Sequence, residues 1–281
     1  MTLDETIKVG LNLSLQIIVL DIKLKKLIFA FIFLAASAPV LAQSLDGAVA
    51  YQYSTIDALL SGVYEGDLSV QDLQHHGDFG LGTYNRIDGE MIVIDGVAYK
   101  AKADGTVVGA GGTEQTPFAM VTRFVGGPKI VIIHPTSLKA LEAAIGQIIT
   151  NKNIFYAIRV EGRFATLKTR AMSAQDKPYQ PLAEVSKTQS VFSYVNMPAM
   201  LVGFYSPAFS QGINVPGFHW HALSIDHQHG GHVLDLMLTS GVIQVMPIAE
   251  LELQLPTRAV FSNYEQGSKR SVELMTVEEA H

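Results

Sequence analysis

The sequence contains no cysteine, and only 16% of its 281 residues are charged. The absence of cysteine excludes thiolate nucleophiles, cysteine-based zinc sites, iron–sulfur clusters and a disulfide framework. Any metal ion must therefore be held by histidine, aspartate or glutamate. Acidic residues outnumber basic ones by 26 to 20, which gives a net charge of −6. This balance excludes a protein that is held to nucleic acid mainly by neutralising phosphates.

Internal repeats and low-complexity tracts are also lacking, which excludes solenoids and propellers. Apolar residues make up 48% of the chain, and this content excludes an intrinsically disordered protein. A length of 281 residues is enough for one large domain or two modest ones with a hydrophobic core.

One apolar run near the N-terminus is shorter than a membrane span. Residues 27–42 read LIFAFIFLAASAPVLA and follow Lys23, Lys25 and Lys26. A basic segment, an apolar segment and small residues before Gln43 are typical of a cleaved secretory signal peptide. The alternative is an uncleaved anchor, although a span needs about 20 residues. We expect an exported protein, periplasmic or secreted, that begins near Gln43 and has no stable membrane insertion after cleavage. The segment before the lysines is long for a signal peptide and indicates a start codon further downstream.

Two later segments have helical features. Ser54 or Thr55 can cap a short helix that ends at Leu60. Residues 134–150 combine a Ser/Thr start with apolar residues at helical spacing, and they predict a second helix.

The remaining sequence after residue 43 favours strands. Asp95-Gly96 predicts a hairpin within residues 90–102, and Glu161-Gly162 predicts another within residues 155–172. Further strands are predicted at residues 190–206, 217–225, 232–239 and 241–255. Because strands outnumber helices and several are joined by hairpins, we expect an α+β protein with mixed, largely antiparallel β-sheets and few helices.

Histidines are concentrated in PGFHWHALSIDHQHGGHVLD, where five of the nine fall within residues 219–232. Residues i and i+2 of a strand point to the same face about 6.6 Å apart, so His219 and His221 can converge on one metal ion while Trp220 faces away. If the next strand pairs with theirs, His232 completes a three-histidine site with open positions for water or substrate. Such an open site favours catalysis over a structural role.

Other interpretations of these residues remain open. The HQHGGH segment could scavenge metal without catalysis, and His219 and His221 could be ordinary strand residues. His227 and His229 are expected to be solvated loop residues. The positions of His75 and His76 are compatible either with the protein surface or with the residues that surround an active site. The glycine-rich GDFGLGTYN lacks the Lys-Ser/Thr of a P-loop and opens no helix, which excludes nucleotide binding there.

Nine segments, taken in order, resemble those of the alpha-acetolactate decarboxylases. They are YQYSTIDALLSGVYEGD, HGDFGLGTYNRIDGE, FYAIRVEG, KTR, KPYQPLAE, KTQ, VGFYSPAF, PGFHWHALSID and GGHVLD. The resemblance covers nearly all of residues 50–281, and the PGFHWH and GGHV segments are its most specific part. The histidine-rich loop before GGH departs from the family pattern, and an export signal is variable in the family.

The resemblance implies a zinc-dependent enzyme, a carboxy-lyase that converts 2-acetolactate to acetoin and CO2. It implies Zn²⁺ as the cofactor, a two-domain fold on mixed sheets and a homodimer. The implied zinc ligands are His219, His221 and His232, and the other implied active-site residues are Thr83, Glu90, Arg170 and a glutamate near the C-terminus, either Glu278 or Glu279.

The chemistry of this reaction suits these residue types. Loss of CO2 leaves negative charge that must be delocalised into the adjacent ketone, and a zinc ion chelated by the ketone and hydroxyl oxygens can stabilise the enediolate. Arg170 can hold the substrate carboxylate or the developing oxyanion. Glu90 or the C-terminal glutamate can return a proton to one face of the enediolate carbon.

Three segments are expected along the chain. They are a signal peptide at 1–42, an N-terminal mixed-sheet domain at 43–180 and a C-terminal zinc-binding β domain at 181–281, with a link rich in Lys, Pro and Gln at 175–189.

Two alternative functions remain. One is a cupin-like metal dioxygenase or isomerase, since Asp226 follows the His-x-His pair. The other is a non-catalytic periplasmic zinc-binding protein.

Overall fold

Two β-sheets and a short two-stranded ribbon make up most of the fold. The computed structural model describes residues 48–265 and 270–278. The predicted signal peptide at 1–42, its cleavage site before Gln43, and Glu279 all lie outside these described residues. No helix within the described ranges has both the length and the apolar character needed to cross a membrane.

The first sheet has seven strands and is mixed. In spatial order its strands are β14 (Glu250–Gln254), β1 (Val49–Tyr53), β8 (Ala119–Thr122), β3 (Phe79–Thr83), β4 (Glu90–Ile94), β5 (Val97–Ala101) and β6 (Val107–Gly109). The pair β1–β14 is parallel, and the other neighbouring pairs are antiparallel. The ribbon consists of β2 (Leu68–Ser69) and β7 (Gln115–Thr116).

The second sheet has five strands and closes on itself. In spatial order its strands are β10 (Phe155–Ala171), β11 (Ser190–Ser206), β12 (Gly217–Ser224), β13 (Gly230–Ile248) and β9 (Ile130–Ile133). Because β10 also pairs with β13, strands β10 to β13 form a ring. All pairings in this sheet are antiparallel.

Helices are short and lie between or beside the sheets. They are α1 (Ile56–Leu60), α2 (Val70–His76), α3 (Leu138–Ile148), α4 (Leu182–Val185), α5 (Ala259–Ser262) and α6 (Arg270–Glu278). Thr55 caps α1 and Ser137 caps α3, each through its hydroxyl oxygen, which satisfies a backbone N–H of the first turn. Both predicted helices are therefore confirmed, as is the α+β fold class with few helices. The other helices lack a clear periodic signal in the sequence.

The hairpin predicted at Asp95-Gly96 is confirmed. It joins β4 to β5, and both turn residues have positive φ, 51° and 79°. These angles are those of a type I′ turn, in which glycine is favoured because it lacks a Cβ atom.

The hairpin predicted at Glu161-Gly162 is wrong, because β10 runs through this position without turning. Gly162 pairs with Ala199 on one side and with Gly241 on the other. A Cβ atom at Gly162 would lie 2.5 Å from the carbonyl oxygen of Ser240, so the glycine permits close approach of two backbones. The strand predicted at 232–239 and the first part of the strand predicted at 241–255 form a single strand, β13, whereas residues 250–254 form β14 in the first sheet.

The strand pairing crosses the predicted domain boundary at residue 180. Strands β9 and β10 precede it and β11 to β13 follow it, yet all five share one sheet. The predicted link at 175–189 contains α4, whose Leu182 and Val185 are buried. The second sheet is therefore built from residues on both sides of the predicted boundary at residue 180.

The two sheets pack face to face. One buried cluster combines Phe79 and Ile92 of the first sheet with Val202 and Phe204 of the second. A further cluster, the cap cluster, lies over the edge where β4 approaches β12 and β13. Its members are Ile56, Leu59, Leu60, Tyr64, Ile87, Phe118, Met172, Leu182, Val185, Val215, Leu274 and Val277.

Candidate active site

Three histidines from two paired strands converge at this edge. His219 and His221 alternate with Trp220 on β12, so both imidazoles lie on the same face. The pairing of β12 with β13 sets His221 directly opposite His232. One nitrogen of each ring lies within 4.8 Å of the other two, and all three side chains are buried.

The nitrogen atoms of the three histidines have different partners. Nδ1 of His221 donates to the carbonyl oxygen of Met91 at 2.8 Å, which leaves its Nε2 as the acceptor nitrogen. Nε2 of His219 and Nδ1 of His232 face each other at 3.2 Å. Nδ1 of His219 is buried and has no hydrogen-bond partner among the described residues.

Burial and the nearby Arg170 guanidinium keep the three imidazoles neutral. Burial lowers the pKa of His219 to about 3, and it lowers the pKa values of His221 and His232 well below the usual range. Three neutral nitrogen donors in one cluster match the ligand set of an open zinc site. The residues present therefore fit a Zn²⁺ ion.

A buried ion pair lies beside the histidines. Nη1 of Arg170 on β10 donates to Oε1 of Glu90 on β4 at 2.7 Å. The other carboxylate oxygen of Glu90 lies 3.6 Å from Nε2 of His221. Burial raises the pKa of Glu90 to about 7, although Arg170 opposes this shift.

The last described residue of α6 supplies a second carboxylate. Oε2 of Glu278 lies 3.7 Å from Nε2 of His232, and burial raises the pKa of Glu278 to about 7. Helix α6 is held in place by Leu274 and Val277, which are buried in the cap cluster. Of the two C-terminal glutamates that the sequence leaves open, Glu278 therefore lies at the histidine cluster.

Thr83 lies at the end of β3, next to the Glu90 segment. Its hydroxyl donates to the carbonyl oxygen of Gly89 at 2.7 Å, and its own carbonyl oxygen accepts from the hydroxyl of Thr116. Thr83 therefore ties the start of β4 to β3, which restricts the position of Glu90.

Seven of the eight active-site candidates from the sequence line one small chamber. They are Thr83, Glu90, Arg170, His219, His221, His232 and Glu278. The rest of the lining, apart from Gly82, is apolar and belongs to the cap cluster; this apolar wall consists of Ile56, Leu59, Ile87, Phe118, Met172, Leu182 and Val277. Sequence reasoning missed the apolar wall and the Met91 carbonyl. Among these residues only Met172 had a signal in the sequence. It lies two positions after Arg170 in a segment predicted to be extended, so the two side chains are expected on the same face.

His76, His227 and His229 make ring contacts away from this cluster. His227 is exposed in the loop between β12 and β13, and its ring contacts Tyr99, while His229 contacts Tyr194. His76 on α2 stacks on Tyr51 with 3.6 Å between ring centroids. The glycine-rich segment GDFGLGT forms β3 within the first sheet rather than a phosphate-binding loop.

Comparisons with known proteins identify relatives that cover most of the chain. The family model described as alpha-acetolactate decarboxylase matches residues 50–266. A protein named alpha-acetolactate decarboxylase from Methanosarcina mazei is 41% identical over 230 residues, which cover 82% of this chain and 80% of that one. The protein of the same name from Klebsiella aerogenes is 42% identical over 213 residues, covering 76% of this chain and 82% of that one.

A solved structure shares the fold. The crystal structure of alpha-acetolactate decarboxylase from Bacillus subtilis strain 168 superposes with a TM-score of 0.80 at 35% identity, covering 82% of this chain and 99% of that one. The match to the family model, the identity to its named members and the common fold all cover most of the chain. As the sequence motifs predicted, the chain belongs to the alpha-acetolactate decarboxylase family, whose named members are carboxy-lyases.

Proposed function

We propose that this protein decarboxylates 2-acetolactate to acetoin and CO2 and depends on Zn²⁺ held by His219, His221 and His232. The observation that carries the proposal is the convergence of three neutral imidazoles with the Glu90–Arg170 pair in one buried chamber. Family membership supports the reaction, and the nitrogen donor set supports the metal.

When bound, Zn²⁺ would supply Lewis-acid stabilisation of negative charge on the ketone and hydroxyl oxygens of the substrate. Loss of CO2 breaks the bond between C1 and C2 and moves its electron pair into the ketone, leaving an enediolate. Protonation of C2, the carbon that lost CO2, restores the ketone at C3 and gives acetoin. The protein must therefore hold a carboxylate, tolerate developing negative charge and deliver one proton.

Arg170 is the positively charged group that would bind the anionic groups of the substrate. Its side chain is buried, and its Nε has no hydrogen-bond partner among the described residues, while Nη1 is bound to Glu90. A planar guanidinium can bind a carboxylate through two N–H groups. We assign Arg170 to orienting the substrate carboxylate and to stabilising charge on the enediolate.

Two carboxyl groups are candidates for delivering the proton. Glu90 and Glu278 approach the histidine cluster from different elements, β4 and α6. Since each contacts a different histidine, each would reach the substrate from its own direction. We assign proton delivery to Glu90, with Glu278 as the second candidate, and we assign Thr83 to holding the segment that carries Glu90.

The apolar wall supports a substrate with short alkyl groups. When the carboxylate and oxygens of 2-acetolactate contact Arg170 and the histidines, the two methyl groups remain for the other lining residues. Apart from Gly82, Thr83 and the two glutamates, those residues are the apolar wall. Burial of methyl groups there is favourable and excludes water from the charged half of the chamber.

Two further parts of the proposal rest on the sequence. The basic and apolar segments at 23–42 support export to the periplasm or the medium. Homodimer formation is proposed from the family resemblance.

The deciding experiment measures zinc content and turnover together. We expect one zinc per chain and acetoin formation, and we expect His219→Ala, His221→Ala and His232→Ala each to lose most of both. The matched control is the double variant His227→Ala/His229→Ala, whose rings lie apart from the cluster. Full zinc occupancy in the His232→Ala protein would contradict the ligand assignment.

The same experiment separates the alternative functions. Iron content with oxygen uptake would support a cupin-like dioxygenase, although Asp226 lies in an exposed loop apart from the histidine cluster. Several weakly held zinc ions without turnover would support a non-catalytic zinc-binding protein.

A further inference from the structure

Trp220 lies between the two histidines of β12 and points to the opposite face of the strand. Its side chain is 2% exposed and belongs to the core cluster that contains Leu141 and Ile145 of α3. In an extended strand the direction of one side chain sets the direction of its two neighbours, because successive Cβ atoms alternate. Any rotation of Trp220 about the strand axis would therefore also turn His219 and His221.

The indole ring occupies a slot that the neighbouring strand leaves open. Gly203 on β11 is the pairing partner of Trp220. A Cβ atom at Gly203 would lie 2.1 Å from Cε3 and Cζ3 of the indole, so only glycine leaves room for the ring. The ring of Phe218 lies nearly parallel to the indole, at 11° and 5.8 Å between ring centroids, and covers one side of it.

A carboxylate on α3 holds the polar end of the same ring. Nε1 of Trp220 donates to Oε1 of Glu142 at 3.0 Å. Glu142 is partly buried, and burial raises the pKa of its carboxyl group. Leu141 and Ile145 fasten α3 to the sheet through the core cluster, so the acceptor has a defined position. The ring is therefore held at its face by Gly203 and Phe218 and at its edge by Glu142.

We propose that Glu142 is a positioning residue for the metal centre: by anchoring Trp220, it fixes the orientation of β12 at the point where His219 and His221 turn towards the zinc ion. This inference rests on the proposed function, because it requires zinc to bind at the histidine cluster. It concerns metal affinity and not a contact with substrate. An unanchored indole allows both imidazoles to move away from the geometry that three-nitrogen coordination needs.

The test measures zinc affinity of the full-length protein by competition with a colorimetric zinc chelator. We expect Glu142→Ala to weaken zinc binding by about tenfold, the lower end of the range for supporting residues of metal ligands. Glu142→Gln should restore most of the affinity, because the amide oxygen still accepts the indole N–H. Gln147→Ala, an exposed change on the same helix, is the matched control.

A double-mutant cycle tests whether Glu142 acts through the indole. In a Trp220→Phe background, Glu142→Ala should change zinc affinity by less than about twofold, because the donor is already gone. Trp220 is also the single tryptophan of the chain, so fluorescence excited selectively for tryptophan over the ten tyrosines reports on this ring alone. Adding zinc to the metal-stripped protein should change its emission, and Glu142→Ala should shift the emission of the metal-stripped protein.

Three outcomes would overturn the inference. Wild-type zinc affinity in Glu142→Ala, while His221→Ala has lost zinc, would reject it and leave the proposed metal site intact. An equal loss of zinc affinity in Glu142→Gln and Glu142→Ala would reject the role of the hydrogen bond between Trp220 and Glu142. Equal zinc binding by the wild type and His221→Ala would reject both the inference and the proposed metal site. If Trp220→Phe does not fold, the comparison of Glu142→Gln with Glu142→Ala still decides.

Discussion

Glu90 and Arg170 are 80 positions apart in the chain and form a buried ion pair, with 2.7 Å between Oε1 and Nη1. The pair joins the first sheet to the second, because Glu90 begins β4 and Arg170 lies near the end of β10. Breaking a buried pair leaves one charge without its partner, which costs far more than the pair contributes. Conservative substitutions therefore give the clearest tests of what each member does.

Arg170→Lys should retain zinc and lose activity. The lysine ammonium keeps a positive charge near Glu90 but cannot present two N–H groups in one plane to a carboxylate. We expect kcat/KM to fall by about 100-fold or more, about 3 kcal/mol of transition-state stabilisation. Acetoin formation and elemental analysis, measured on the same preparation, provide the check. Loss of zinc in Arg170→Lys would point to a structural role instead.

Glu90→Gln should retain zinc and still release CO2, but it should alter the protonation step. Without a positioned acid, solvent protonates the enediolate from either face. We therefore expect slower acetoin formation or lower enantiomeric purity, followed by parallel CO2 detection and chiral chromatography. Glu278→Gln is the matched variant. Wild-type rate and stereochemistry in Glu90→Gln, with a defect in Glu278→Gln, would transfer proton delivery to Glu278.

Met172→Ala should widen the range of substrates. Met172 and Arg170 both line the chamber, whereas Ala171 between them is fully buried elsewhere. Met172 is therefore close to the group that would hold the carboxylate, and it limits the substituent on the same carbon. The test substrate is an analogue of 2-acetolactate in which a propyl group replaces the methyl group on the carbon that carries the carboxylate. We expect its kcat/KM, relative to that of 2-acetolactate, to rise by about tenfold.

The Met172 substitution also has a predictable cost. Removing a buried methionine side chain destabilises a protein by about 2–5 kcal/mol, so assays belong well below the melting temperature. Met172→Leu, which nearly conserves volume, is the control and should keep the wild-type preference. An unchanged preference in a folded Met172→Ala protein would remove Met172 from the limit on substrate size.

Export should produce a mature protein that begins at or near Gln43. The apolar run at 27–42 is shorter than a membrane span and ends in small residues before that position. Sequencing the N-terminus of the native protein, after fractionation of the cells, provides the measurement. A cytosolic protein with Met1 in place would contradict export, and a membrane-bound protein with an intact apolar run would favour the uncleaved anchor.

Local sequence signals correctly predicted those elements whose geometry depends only on residues nearby in the sequence. Thr55 and Ser137 cap helices, and Asp95-Gly96 forms a two-residue turn, because each effect acts within a few residues. Gly162 failed as a turn signal for a physical reason. Its lack of a Cβ atom serves the close pairing of β10 with β13, which depends on residues far away in the chain.

The sequence by itself determined that His219 and His221 share a face of an extended strand, and it predicted His232 as their third partner. Side chains alternate along a strand, so His219 and His221 had to share a face once their segment was extended, and a short loop returns the chain with His232 opposite. The family resemblance singled out the carboxylates and Arg170, but no local pattern could.

Only the tertiary structure decided how the rest of the site meets the histidines. Glu90 reaches Arg170 because the two sheets pack face to face, and Glu278 reaches His232 because Leu274 and Val277 seat α6 in the cap cluster. The Met91 carbonyl and the apolar wall join them through the same packing. These contacts depend on burial of apolar surface between elements remote in sequence, and such burial has no periodicity that a single sequence displays.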